Sequence, residues 1–105
     1  MLGEFEQLVL LAILRCGEDA FGAAIQREIE AQAGRPASLG AVYTTLARLE
    51  QKGLVDTWIG EPTAERGGRR RRHYRLRPAG RRELEHSLAT LRRMARGLRP
   101  SLEAP

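Results

Sequence analysis

Residues 38–55 read SLGAVYTTLARLEQKGLV, and the fold turns on how they are read. Leu39, Val42, Leu46 and Leu49 recur at intervals of three, four and three residues, the spacing of an apolar stripe along one helix face. Ser38 stands just before the stripe, where its hydroxyl can accept from an unpaired N–H of the first turn. Gly53 stands where such a helix would stop. The opposite face carries Tyr43, Thr44, Ala47, Arg48 and Gln51. A groove-reading helix needs this division, with one face to anchor it and one face of side chains able to reach base edges.

Downstream, Leu54 to Gly60 is rich in strand formers, and His73 to Leu76 alternates with Tyr74 and Leu76 on one side. The stretch EPTAERGGRRRR between them describes a long hairpin tip around Gly67 and Gly68. Pro78 suits the first position of a further helix through RRELEHSLATLRRMARG, with an apolar stripe of Leu84, Leu88, Leu91, Met94 or Ala95, and Leu98. Upstream, Glu4 to Arg15 reads as a largely buried helix ended by Gly17. A second helix is expected from about Ala20 to Ala33, with Asp19 as its cap and Gly34 and Pro36 closing it.

The 105 residues fit one domain, and 42% apolar composition can supply its core. No apolar run reaches the roughly 18 residues of a membrane span, and acids stand at the start where a secretory signal would be basic. The chain reads as soluble and cytoplasmic, with no membrane partner. Cys16 has no disulfide mate, and with His73 and His86 it forms no cluster at metal spacing, so neither metal nor cofactor is expected.

Charge divides unevenly. Residues 1–65 hold five basic and ten acidic side chains, a net of −5, whereas residues 66–105 hold thirteen basic and three acidic, a net of +10. Seventeen of the eighteen basic residues are Arg, whose planar fork suits phosphates and guanine edges. A polyanionic partner follows from that chemistry, although an arginine run can also be no more than a solvated loop.

Three short helices followed by a two-stranded hairpin is the order of a winged helix-turn-helix, whose third helix enters the major groove. The expected fold is therefore mainly α with a small β-hairpin. Residues 1–77 form the DNA-binding domain, 78–99 a C-terminal dimerisation helix, and 100–105 a tail.

The segments LGAVYTTLARLEQKGLV and RGGRRRRHYRLRPAGRREL resemble the PadR family of bacterial winged-helix regulators. The most specific pieces are Tyr43 with Leu46, Arg48, Leu49, Glu50, Gly53 and Leu54, then Tyr74-Arg75-Leu76 followed by Pro78-Ala79-Gly80. The resemblance implies a transcription factor, usually a repressor, that dimerises through its C-terminal helix and is sometimes released from DNA by a small ligand. Two positions depart from the family pattern. Phe21-Gly22 replaces a common Tyr-Gly pair, removing a hydroxyl that could meet a phosphate. Arg77 stands where Thr often precedes Pro-Ala-Gly, and it has no side-chain acceptor with which to cap a helix.

The expected working parts are Ser38, Tyr43, Thr44 and Arg48 in the major groove, Arg69, Arg70, Arg71 and Arg72 on the backbone, and Leu84, Leu88, Leu91 and Leu98 in a homodimer seam. Duplex DNA and a second copy are the expected partners, and the small-molecule effector is left unidentified. The Tyr43 ring has a second reading as packing against the wing, and Trp58 reads first as a strand packing residue. A winged-helix module for protein or structured RNA is the other functional class open to this sequence. No nucleophile-and-base arrangement, phosphate-cradling loop or carboxylate pair points to an enzyme.

Overall fold

A computed structural model describes residues 2–61 and 70–104. Helix α1 spans Glu4–Cys16, α2 Gly22–Ala33 and α3 Leu39–Gln51; strands β1 (Val55–Ile59) and β2 (Arg72–Leu76) follow, then α4 (Pro78–Ala95) and a short α5 (Arg99–Glu103). Val9, Leu10, Ile25, Val42, Leu46 and Leu49 are fully inaccessible, so the core lies where the first three helices meet. Side chains of this size contribute roughly 1.5–3 kcal/mol each on full burial, enough to anchor the short helices that carry them.

The third helix is capped as its sequence requires: the Ser38 Oγ accepts the Ala41 N–H at 3.0 Å. The stripe differs at its start. Leu39 is 38% exposed and Thr45 takes its place in the buried face, giving Val42, Thr45, Leu46 and Leu49, a tighter i, i+3, i+4, i+7 pattern.

The second helix begins later than expected. Asp19 closes a 3₁₀ turn (Gly17–Asp19) and caps nothing; Phe21 is the residue that precedes α2. The physical reason is tertiary. The Ala20 carbonyl accepts the Tyr74 N–H at 2.9 Å, and Phe21 forms an antiparallel bridge with His73, so this segment serves as a strand edge for β2.

The hairpin pairs Val55 with Leu76, Thr57 with Tyr74, Trp58 with His73 and Ile59 with Arg72. Tyr74 and Leu76 are buried at 5% and 7% exposure, which fixes the register, because a one-residue slip would turn both to solvent. Burial also pushes the Tyr74 phenol above its usual pKa.

Helix α4 starts with Pro78 at its first turn and docks by its N-terminal half. Leu84 is 4% exposed, Ser87 is fully buried, and the Ser87 Oγ accepts the Leu2 N–H at 3.3 Å. From Leu91 onward every described residue is exposed. The helix stops at Ala95, short of the expected extent to residue 99. Gly97 takes φ 77°, a left-handed conformation that turns the chain, so Leu98 precedes α5 and is not on α4. The expected tail, residues 100–105, includes most of α5.

Candidate nucleic-acid interface

On α3 the face opposite Val42, Leu46 and Leu49 presents Tyr43, Thr44, Ala47, Arg48 and Gln51 to solvent. Tyr43 is 44% exposed, and its ring lies over Gly22 of α2, where an added Cβ would overlap both the ring carbon Cζ and the hydroxyl. One side of the ring thus packs against α2, and the remainder stays open to solvent. Among the described residues no carboxylate pairs with Arg48, although Lys52, just past the end of α3, pairs with Glu6 of α1 nearby. Ser38 is exposed while its oxygen caps α3, which leaves the hydroxyl hydrogen available as a donor.

The arginine run is not a tip of four equivalent residues. Arg72 lies within β2, and its Nη1 donates to the Thr57 Oγ1 at 3.3 Å. The Arg71 carbonyl accepts the Gly60 N–H at 2.7 Å, extending the ladder by one bond. Arg70 is exposed, and Arg69, with Gly67 and Gly68, lies outside the described residues. The strands therefore reach further than turn-like composition implied, because β pairing continues wherever backbone partners remain in register.

Around the hairpin a stacked series forms that sequence spacing does not reveal. The Arg71 guanidinium lies 4.2 Å from the Phe21 ring centroid, and Phe21 meets His73 edge-on at 5.9 Å. His73 stacks on Trp58 at 5.6 Å with 20° between planes, and Arg75 covers Trp58 at 5.2 Å. The His73 Nδ1 lies 3.1 Å from the Glu18 carbonyl oxygen, tying the wing to the 3₁₀ turn. Trp58 accordingly packs, as its sequence reading held. Arg75 and Arg77 lie 3.7 and 3.8 Å from Asp56 oxygens, in exposed pairs of small energetic weight. Among the described residues no carboxylate pairs with Arg70, Arg71 or Arg72.

The seam residues separate. Leu84 is enclosed in its own domain's core and cannot serve as an open contact, whereas Leu88 is half-buried against that core. Leu91 and Leu98 are 48% and 45% exposed, and Met94 and Leu102 reach 73%. Cys16 packs against the core, and burial, then Glu28, pushes its thiol above the usual pKa, which favours the unreactive form. Among the described residues no His, Cys, Asp and Glu cluster suits a metal ion, and no helix is long and apolar enough to cross a membrane.

A capped, polar-faced third helix beside an arginine-bearing hairpin defines a winged helix-turn-helix regulator. Residues 10–86 match the transcriptional regulator PadR-like family, and the chain belongs to that family of DNA-binding transcriptional regulators. It is similar to a PadR family transcription regulator from Clostridium difficile, at 24% identity and TM-score 0.73 over 95% of this chain and 99% of that one. A PadR-like transcriptional regulator from Bacillus cereus gives 19% identity and TM-score 0.75, covering 96% and 93% of the two chains. A PadR family transcriptional regulator from Eggerthella lenta gives 26% identity and TM-score 0.68, covering 97% and 88%. Among curated proteins none matches.

Proposed function

We propose that the chain is a cytoplasmic, sequence-specific DNA-binding repressor that acts as a homodimer and carries no catalytic activity. The observation that carries this reading is the exposed, unpaired polar face of α3, anchored from behind by Val42, Leu46 and Leu49. In this reading Tyr43, Thr44 and Arg48 meet base edges in the major groove, with Ser38 at the entrance. The wing arginines Arg70, Arg71 and Arg72, which pair with no carboxylate among the described residues, together with Arg69, hold the backbone. Repression follows from occupancy of a promoter.

Dimerisation is supported by the second half of α4, which leaves its own domain and carries Leu91 and Met94 exposed on an otherwise charged helix. Beside it a cleft of about 260 Å³ lies between α1 and α4, lined by Leu11, Leu14, Leu84 and Leu88. Leu14 is 41% exposed there. A second copy placing its own α4 along this face would cover Leu14, Leu91 and Met94 on both protomers at once, as a two-fold interface does.

Selection of bound duplexes from a random pool tests the reading. The expected product is a two-fold symmetric site whose half-sites are separated by about one helical turn, ~34 Å. Recovery of unbiased sequence would contradict it and would favour protein or RNA contact as the role of this surface.

A further inference from the structure

The arginines of the wing are not held alike. Arg72 is engaged with Thr57 through its own side chain, at 3.3 Å. Arg71 instead lies with its guanidinium carbon 4.2 Å from the centroid of Phe21, the closest of the cation–ring contacts among the described residues. A guanidinium held against a ring face keeps its in-plane N–H groups free to donate, so stacking orders the side chain without occupying its fork. Phe21 is itself fixed from two directions: its backbone bridges to His73 and its ring meets the His73 ring edge-on. Neither a salt bridge nor a side-chain hydrogen bond to another described residue competes for the Arg71 fork.

We propose that Phe21 is a positioning residue for DNA binding, its ring seating the Arg71 guanidinium in advance so that this fork engages one backbone phosphate at the junction of the wing and α2. The inference rests on the reading of the chain as a DNA-binding protein and adds to it a division of labour. A flexible arginine loses side-chain freedom when it binds a phosphate, whereas one already ordered on a ring loses less. Phe21 thus contributes to affinity without touching DNA, and it contributes equally on every sequence, because a phosphate carries no base identity.

The test is a double-mutant cycle on the full chain, with affinities for a selected duplex and for bulk DNA measured at several salt concentrations. Phe21→Leu, Arg71→Ser, the double variant and Phe21→Tyr are compared after thermal unfolding has shown which of them are folded. Arg71→Ser is expected to weaken both DNAs by about 3- to 10-fold and to reduce the salt slope by ~0.9 per subunit. Phe21→Leu is expected to weaken both DNAs by about 2- to 5-fold, as loss of a cation–π contact implies, whereas Phe21→Tyr keeps the ring face and is expected to bind at least as tightly as the unmodified chain, its added hydroxyl being a further donor for a phosphate. The double variant should bind no worse than Arg71→Ser alone, since the platform has no use without its arginine.

Independent, additive effects of the two substitutions would overturn the proposal, as would wild-type behaviour of either single variant. If Phe21→Leu fails to fold, Phe21→Trp, which adds no hydroxyl, is measured with and without Arg71→Ser: a change in affinity that is as large when Arg71 is absent contradicts the proposal, and one that disappears with Arg71 supports it. Absence of DNA binding by the unmodified chain would overturn the functional reading itself, an outcome distinct from all of these.

Discussion

Gly80 presses its bare Cα against the carbonyl oxygen of Leu54, so closely that a Cβ at this position would overlap that oxygen. The same oxygen accepts the Arg77 N–H at 2.9 Å, so it is held on two sides and the neighbouring backbone has little freedom to retreat. This explains why Pro78-Ala79-Gly80 occurs as a unit: proline starts α4, and glycine lets its first turn sit on the chain entering β1. Replacing Gly80 with Ala should favour the helix by about 1 kcal/mol through propensity alone. Overpacking against fixed backbone costs about 1–3 kcal/mol and should win. Urea unfolding of Gly80→Ala should give a lower midpoint at unchanged slope, and a higher midpoint would refute the contact.

A second consequence concerns acid. The Glu6 carboxylate accepts from Lys52 Nζ at 2.8 Å and from the Gly3 N–H at 3.0 Å, and the Lys52 bond, against the opposing effect of burial, holds its pKa below the usual carboxylate range. A depressed folded-state pKa contributes stability that is present above the unfolded value and disappears as pH falls through the folded one. Lys52 is 47% exposed, so solvent screening limits the pair to about 1 kcal/mol at neutral pH. Glu6→Gln should therefore be less stable by about that amount at pH 7, and the gap should begin to close as pH falls below the unfolded-state value of about 4.3 and disappear once it has passed through the lowered folded one. A gap that stays constant from pH 7 to pH 3 would show that the charge plays no part.

Much of this architecture is legible in the sequence, and the boundary is physical. Ser38, Val42, Leu46 and Leu49 announce α3 because capping and 3.6-residue periodicity are local properties. The start of α2 is not legible, since the Ala20 carbonyl and the Phe21 backbone are claimed by β2, far along the chain. For the same reason Asp19 looks like a cap and is none. At the candidate site, the polar face of α3 follows from periodicity, but the packing of Tyr43 on Gly22 and of Arg71 on Phe21 requires the tertiary fold. The end of α4 was half legible: Gly97 stands at the right place to break the helix, yet the apolar spacing through Leu98 argues for continuation.

The exposed half of α4 makes the oligomeric state testable without disturbing the core. Leu91 and Met94 are 48% and 73% exposed, so replacing both with Asp should leave the domain folded. Sedimentation at tens of micromolar (~10⁻⁵ M) should find the unmodified chain dimeric and the double variant monomeric. The monomer should bind a two-fold site poorly, because one reading head must then hold it alone. An unmodified chain that sediments as a monomer under these conditions would remove the dimer from the account.

The central claim is that α3 reads bases, and the most direct measurement is the affinity of Arg48→Ala for the selected site and for each of its single base-pair variants. Arg48 is exposed and unpaired among the described residues, so its removal leaves the fold intact. The account predicts a loss of about 1–3 kcal/mol on the selected site, with discrimination flattened at one base pair and retained elsewhere, since a lost base-edge contact matters only where its base stands. Equal weakening on every duplex, with discrimination intact at all positions, would assign Arg48 to the backbone and contradict base reading by this face of α3.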